Sequence, residues 1–300
     1  MKNVKRFVKR ILKNIKYFLS YDLYEHELER TYEIQDKIVE DLFFEFEENK
    51  YIINNLNIID AEESINLLME NPKSFCRFGD GEIGIMQGKN QPFQKYDEKL
   101  ANGLKDILSK KRDDMYVAIN RAYFHSPLVW AERNKKFYRI YGTQMRRFFI
   151  EICNPDVTYL DAGCMCAYFR YKEDFDYEKH YSRMENLFKN KKIAIVSGTG
   201  ILEKLEFDVF YLAEDKIIIH GPATNAFEKI DDIIKHIQNN IPKDYLICII
   251  LGMTAKVLVA ELTDMGYMAW DVGHLAKDYD VFMRKVEKTE DNRAEFWKPD

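Results

Sequence analysis

The stretch Ser74-Phe75-Cys76-Arg77-Phe78-Gly79-Asp80-Gly81-Glu82 fixes how the rest of the chain is read. Its apolar first half has the pattern of a short strand, Ser74–Phe78, and it ends on Arg77, a glycine and two carboxylates two residues apart. In extended backbone, residues i and i+2 face the same side. The spacing therefore predicts that Asp80 and Glu82 turn their oxygens toward one point. Gly79 and Gly81 let backbone come close to a ligand. Paired hard oxygen ligands suit Mg²⁺ or Mn²⁺, ions that bind through one or two carboxylates plus substrate phosphates. Arg77 is the matching bidentate contact for a phosphate. Taken alone, an Asp-Gly-Glu triplet is more often an acidic surface turn, because Gly and Asp dominate turns.

The surrounding pattern places this stretch in an α/β chain. Asp60 caps a helix running to about Glu70, Asn71-Pro72 stops it, and Ser74–Phe78 follows as a strand. Residues 95–110 read as a helix, Met115–Asn120 as a buried strand, and residues 128–152 as a long aromatic-rich helix. A helix is expected over Tyr177–Asn190. Beyond it, apolar runs at Lys192–Ser197, Ile217–Ile219, Leu246–Leu251 and Tyr267–Asp271 alternate with helical segments. Near-continuous apolar strands alternating with helices predict a Rossmann-like, mostly parallel sheet with helices on both faces. In such sheets ligands bind beyond the carboxyl ends of the strands, and each polar motif of this chain falls at such an end.

Four of those ends carry candidate groups. Gly198 and Thr199, in Ser197-Gly198-Thr199-Gly200, either cradle phosphate at a helix N-terminus or make a tight strand-to-helix turn. The dinucleotide pattern is excluded, because its third glycine position holds Glu203. Asn225 stands at the start of a helix expected over 224–238, and Thr254 is a natural N-cap after Gly252-Met253. Asp271 and His274 follow the last strand: Asp271 is a candidate base, and His274 a candidate acid–base group, metal ligand or phosphate contact. His125 is a further histidine for an acceptor side.

The motif Arg77 to Glu82, with Pro92-Phe93-Gln94, residues 97–104, Leu251-Gly252-Met253-Thr254-Ala255 and Asp271-Val272-Gly273-His274, resembles the GT-D glycosyltransferases in content and order over about residues 60–285. Met253 departs from the pattern, standing where the family has proline. The resemblance implies a sugar transferase with a nucleotide-sugar donor, a uridine diphosphate sugar, and a metal held by a D-x-E motif. A saccharide or lipid-linked acceptor and a cytoplasmic setting, on the inner face of the membrane, are expected. On the residues alone, a metal-dependent phosphohydrolase and a non-catalytic binding module remain alternatives.

Composition bounds the rest. Net charge is −5 over 300 residues, which gives no whole-protein case for nucleic-acid binding. Five cysteines, an odd number, point to a reducing compartment. Residues 2–19 hold seven Lys/Arg and no acid, with Val4, Phe7, Val8, Ile11, Leu12, Ile15, Phe18 and Leu19 on one arc of a helical wheel. Residues 1–20 are thus a basic amphipathic helix, which either lies on an anionic membrane face or packs its apolar side on protein. Residues 21–57 form an acidic helical connector or homo-oligomer contact, with eleven acids against three bases between Asp22 and Lys50. The transferase domain is expected over 58–285, leaving 286–300 as a tail.

Overall fold

The computed structural model describes residues 2–20, 56–125 and 130–297, with isolated positions between 27 and 38. The chain divides into two compact units, Met1–Tyr51 and Ile52–Asp300. In the first, α1 spans Lys2–Ser20, as the basic amphipathic pattern predicts. Phe7, Val8, Ile11, Leu12 and Ile15 of its apolar arc are exposed. The connector expected over 21–57 lies largely outside the described residues. No helix among the described residues is long and apolar enough to cross a membrane.

The second unit is built on eight strands: β1 (Asn57–Ile58), β2 (Ser74–Phe78), β3 (Met115–Ile119), β4 (Thr158–Asp161), β5 (Lys192–Gly198), β6 (Asp215–Gly221), β7 (Leu246–Ile250) and β8 (Met268–Asp271). Their order is β1-β4-β3-β2-β8-β7-β5-β6, and the pairings are parallel. Ile193, Ala194, Ile195 and Val196 are all buried, and so are Leu246, Ile247, Cys248 and Ile249. Successive buried residues mean that both sheet faces are covered, as a parallel sheet requires.

The covering helices are α2 (Ala61–Glu70), α3 (Asp80–Met86), α4 (Glu98–Ser109), α5 (Glu132–Ile152), α6 (Tyr177–Phe188), α7 (Ile230–Asn240), α8 (Thr254–Asp264), α9 (Leu275–Met283) and α10 (Glu290–Phe296). Their starts follow local chemistry. The Asp60 carboxylate accepts from Glu63 N at 2.8 Å, and Asp97 accepts from Lys99 N and Leu100 N at 2.8 and 3.0 Å. Each cap satisfies amides that the first helical turn leaves unpaired.

The topology turns at β2 and β8. From β2 the chain moves to β3 and β4 on one side, whereas β5 to β8 occupy the other. Adjacent strands whose connections run in opposite directions open a crevice at their carboxyl ends. Several elements differ from the sequence reading. Thr158–Asp161 is an unexpected strand, β4. Beyond Gly200 the chain makes only a three-residue 3₁₀ turn, Leu202–Lys204, in place of an α-helix. Within the expected tail, Glu290–Phe296 forms a helix, α10, that buries Arg293 and Phe296, and Phe296 packs with Cys166 and Phe169.

Candidate active site

A cavity of about 560 Å³ opens at the carboxyl ends of β2, β7 and β8, within the usual range for a small-molecule site. Of the predicted site residues, Arg77, Gly79, Asp80, Glu82, Asp271 and His274 line it. The carboxyl-end argument thus brings together residues from opposite ends of the sequence.

The local geometry of the opening motif differs from expectation. Gly79 is extended, but Asp80 already begins α3. Residues two apart on a helix are turned about 200° around its axis, so Asp80 and Glu82 do not share a face as they would on a strand. Glu82 is the third residue of the helix and reaches back, Oε2 accepting from Gly79 N at 2.8 Å. This is the glutamate half of a capping box. Asp80 instead stands exposed at the cavity wall. The walls of the recess strip bulk water from its carboxyl and raise its pKa, and the neighbouring Glu82 raises it further.

Behind Glu82 lies a buried charge cluster. Lys256, on α8, places Nζ 2.8 Å from Glu82 Oε1, 3.0 Å from Asp271 Oδ2 and 3.0 Å from the carbonyl of Gly252. Burial works against its charge, yet the Asp271 and Glu82 carboxylates more than offset this and hold the ammonium above the ordinary lysine range. Arg77 completes the cluster. Its backbone N–H donates to Asp271 Oδ2 at 3.2 Å, Nε to the Asp271 carbonyl at 2.9 Å, and Nη1 to the Ala162 carbonyl at 3.3 Å. Burial would raise the Asp271 pKa, but Lys256 and Arg77 outweigh it and depress it below the usual carboxylate range. A carboxylate so stabilised is a weak base. Its geometry is that of a counter-charge for two cations rather than a proton acceptor. Arg77, likewise, is committed to protein acceptors and not to a phosphate.

Gly198, Thr199, Asn225 and Thr254 do not line the cavity; their neighbours Ile201, Ala223, Ala226 and Gly252 do. A Cβ at Gly198 would lie 2.8 Å from Ala223 Cα, so this glycine allows two loops to touch. The Thr199 amide is used by the Gly221 carbonyl at 3.2 Å, and no α-helix follows to aim dipoles at an anion. Thr254 is not an N-cap. It is the first residue of α8, and its hydroxyl donates to Gln94 Oε1 at 3.3 Å. Asn225 is left-handed at φ 52°; its amide donates to Phe93 O at 2.7 Å, and its Oδ1 accepts from Lys95 N at 2.9 Å. That clasp explains why the expected helix at 224 is delayed to Ile230 behind a 3₁₀ turn. It fixes the Pro92-Phe93-Gln94 segment, three residues that do line the cavity. Met253, in the proline position, leaves the turn intact: Gly252 takes φ 53°, and Met253 packs so close to Gly81 that a Cβ there would lie 2.6 Å from Met253 Cε.

The opposite wall was not legible in sequence. Arg170 lies between two indoles, 5.5 Å from the Trp130 ring centre and 5.8 Å from that of Trp297. Among the described residues it has no carboxylate ion pair. Its loop is anchored by buried Asp278, which accepts from Ala167 N at 2.6 Å, Tyr168 N at 3.1 Å and Tyr181 Oη at 2.6 Å. Tyr138, Asn120 and Lys277 also line the cavity. His274 opens α9 and lies edge-on to Trp297 at 5.4 Å and near Phe296 at 5.8 Å. His125 is partly buried, does not line the cavity, and burial pushes its pKa down to about 4.

A divalent cation is testable against this donor set. Among the described residues no three His, Cys, Asp or Glu side chains gather into a metal cluster. Asp80 nonetheless offers a carboxylate at the cavity wall with no ion pair among the described residues, its pKa raised by burial in the recess and then by Glu82, and both groups are hard oxygen donors. One or two carboxylates completed by phosphate oxygens is how Mg²⁺ and Mn²⁺ are usually held; Asp80 fits that description as it stands, whereas Glu82 would have to give up Lys256 or the Gly79 amide to join it.

Comparison with known proteins agrees with this architecture. The family described as Glycosyltransferase GT-D fold matches residues 75–295. Glycosyltransferase GlyD of Streptococcus pneumoniae serotype 4 is 28% identical over 229 residues, covering 76% of this chain and 28% of the relative. A relative from Streptococcus gordonii is 25% identical over 227 residues, 33% of its length, so the chain spans about a third of these proteins. A solved structure, described as a highly conserved domain of unknown function 1792 with a distinct glycosyltransferase fold, superposes with TM-score 0.72. It is 28% identical and covers 82% of this chain and 91% of its own. A glycosyltransferase structure from Streptococcus sanguinis shares the fold at TM-score 0.72 and 24% identity, over 78% of this chain and 87% of its own. Fold, cavity and motif order converge, and the chain belongs to the GT-D family of glycosyltransferases.

Proposed function

We propose that the cavity binds a nucleoside diphosphate sugar, a uridine diphosphate sugar being the form the family resemblance implies, and transfers its sugar to a saccharide or lipid-linked acceptor hydroxyl. The observation that carries this reading is the pairing of a carboxylate, Asp80, with a guanidinium that forms no carboxylate ion pair among the described residues, Arg170, across one recess. Asp80, supported by Glu82, is the group to hold Mn²⁺ or Mg²⁺. When bound, the ion supplies Lewis-acid stabilisation of the charge that grows on the departing diphosphate. Arg170 contributes a planar donor array matched to phosphate oxygens, and the two indoles keep it extended. Phe93 and the clasped segment around it close the cavity on another side. His274, at the cavity wall, is the group placed to accept the acceptor's proton, with Asp271 holding Arg77 and Lys256 in register.

The test is thermal stabilisation by uridine diphosphate with and without Mn²⁺, followed by nucleotide-sugar turnover with and without a saccharide acceptor. Metal-dependent stabilisation and acceptor-dependent release of nucleotide are expected. Release of inorganic phosphate without an acceptor would instead establish the phosphohydrolase alternative.

We also propose that α1 brings the enzyme to an anionic membrane surface, where lipid-linked acceptors lie. Support comes from the seven basic residues without an acid in residues 2–19 and from the exposed arc of Phe7, Val8, Ile11, Leu12 and Ile15. Apolar burial and attraction to anionic headgroups act together in such helices.

A further inference from the structure

Lys256 is the one residue of the charge cluster that no motif or family pattern introduced, and its position has a consequence for metal loading. Its ammonium already occupies Glu82 Oε1 at 2.8 Å, while Glu82 Oε2 is held by the Gly79 amide at 2.8 Å. Both oxygens of the second carboxylate thus have a partner before any divalent ion arrives. Arg77 and Lys256 balance Glu82 and Asp271, so the five groups, with Asp80, carry a single negative charge. A dication entering alone would reverse that sign beside two buried cations. One entering with the negative charge of a diphosphate would not.

We propose that Lys256 is a built-in competitor for Glu82, a positioning residue that keeps the divalent ion weakly bound until the nucleoside diphosphate is present. On this inference, which rests on the metal position proposed above, the resting enzyme engages the ion through Asp80 alone. Diphosphate binding draws Glu82 away from the ammonium, and Lys256 remains with Asp271 and the Gly252 carbonyl. Metal and donor then load as a unit. Coupling between two such ligands is reciprocal, so the ion tightens diphosphate binding by the same factor that diphosphate tightens the ion.

The experiment is titration of free Mn²⁺ by electron paramagnetic resonance, with and without uridine diphosphate, on the full chain and on Lys256→Met. The wild type is expected to bind Mn²⁺ at least tenfold more tightly with the nucleotide, within the usual span of ligand coupling. Lys256→Met is expected to bind Mn²⁺ alone at least about tenfold more tightly than wild type, with the coupling correspondingly reduced. A merely structural lysine would leave Mn²⁺ affinity unchanged or lower it, and either result overturns the inference. Should Lys256→Met fail to fold, ¹⁵N-lysine-labelled wild type provides the readout. The Lys256 ammonium resonance is expected to shift when Mg²⁺ and uridine diphosphate are added together, and an unmoved resonance overturns the inference. Absence of Mn²⁺ binding to the wild type under both conditions would instead remove the metal position itself.

Discussion

Gly273 lies directly beneath Arg77: at φ 47°, a Cβ on this residue would lie 1.6 Å from Arg77 Nη2. The turn after β8 is therefore shaped around the guanidinium that ties β2 to β8.

Gly273→Ala is expected to destabilise the protein by about 3 kcal/mol, combining left-handed backbone strain with loss of a charge-assisted hydrogen bond. Denaturant unfolding measures it. In an Arg77→Ala background the same change should cost only the strain, about 1–2 kcal/mol. Equal costs in both backgrounds would show that the two residues do not interact.

Asp80→Asn is expected to lower sugar transfer at least a hundredfold, about 2.7 kcal/mol of barrier. Because the recess strips water from the Asp80 carboxylate and Glu82 opposes its charge, the neutral amide should leave stability unchanged or slightly raised. Steady-state kinetics and thermal unfolding check the two halves. Full activity at low metal would remove Asp80 from the site.

His180 supplies a pH prediction. It is buried among Phe175 and Tyr181, its Nε2 has no hydrogen-bond partner, and burial pushes its pKa down to about 4. The unfolded chain takes up a proton near pH 6.5 and the folded chain does not. Its contribution to stability is thus complete above pH 6.5 and is lost as pH falls from there to about 4. The loss is about 3 kcal/mol at its largest. His180→Phe should flatten this part of the stability–pH curve, and an unchanged slope would show that other groups cause it.

The full chain is expected to sediment with vesicles containing phosphatidylglycerol at low ionic strength, to remain soluble with phosphatidylcholine alone, and to be released by salt. Phe7→Glu/Ile11→Glu should abolish binding without altering transfer to a soluble acceptor. If those substitutions instead reduce the mass found by light scattering, the apolar arc joins two copies of the chain.

Much of the scaffold was legible because apolar runs such as Ile193–Val196 and Leu246–Leu251 leave little choice but buried parallel strands. The same logic correctly gathered Asp80, Asp271 and His274 at carboxyl ends. What it misread is the backbone after Gly79, where a strand pattern and a capping pattern share the same residues. A glycine followed three residues later by glutamate is also a helix start, and here Glu82 takes that role. Lys256 had a signal, a lone charge in the apolar run Ala255–Ala260, and a buried lysine nearly always has a partner. Arg170 had none, since the carboxylate anchoring its loop, Asp278, is 111 residues from Ala167. Trp297 fell beyond the expected domain end, and only the packing of α10 shows that it faces the cavity.

The pairing of β2 with β8 also bears on how the chain is made. Arg77 and Asp271 are 194 residues apart, so during synthesis the β8-facing edge of β2 emerges long before its partner does. Such distant pairing must overcome loop-closure entropy before it contributes, which makes folding slow. Meanwhile the apolar strand Phe75-Cys76 presents unpaired backbone, the kind of edge that recruits other chains. Until β8 is made, the half of the molecule that carries Asp80 keeps this edge open to other chains.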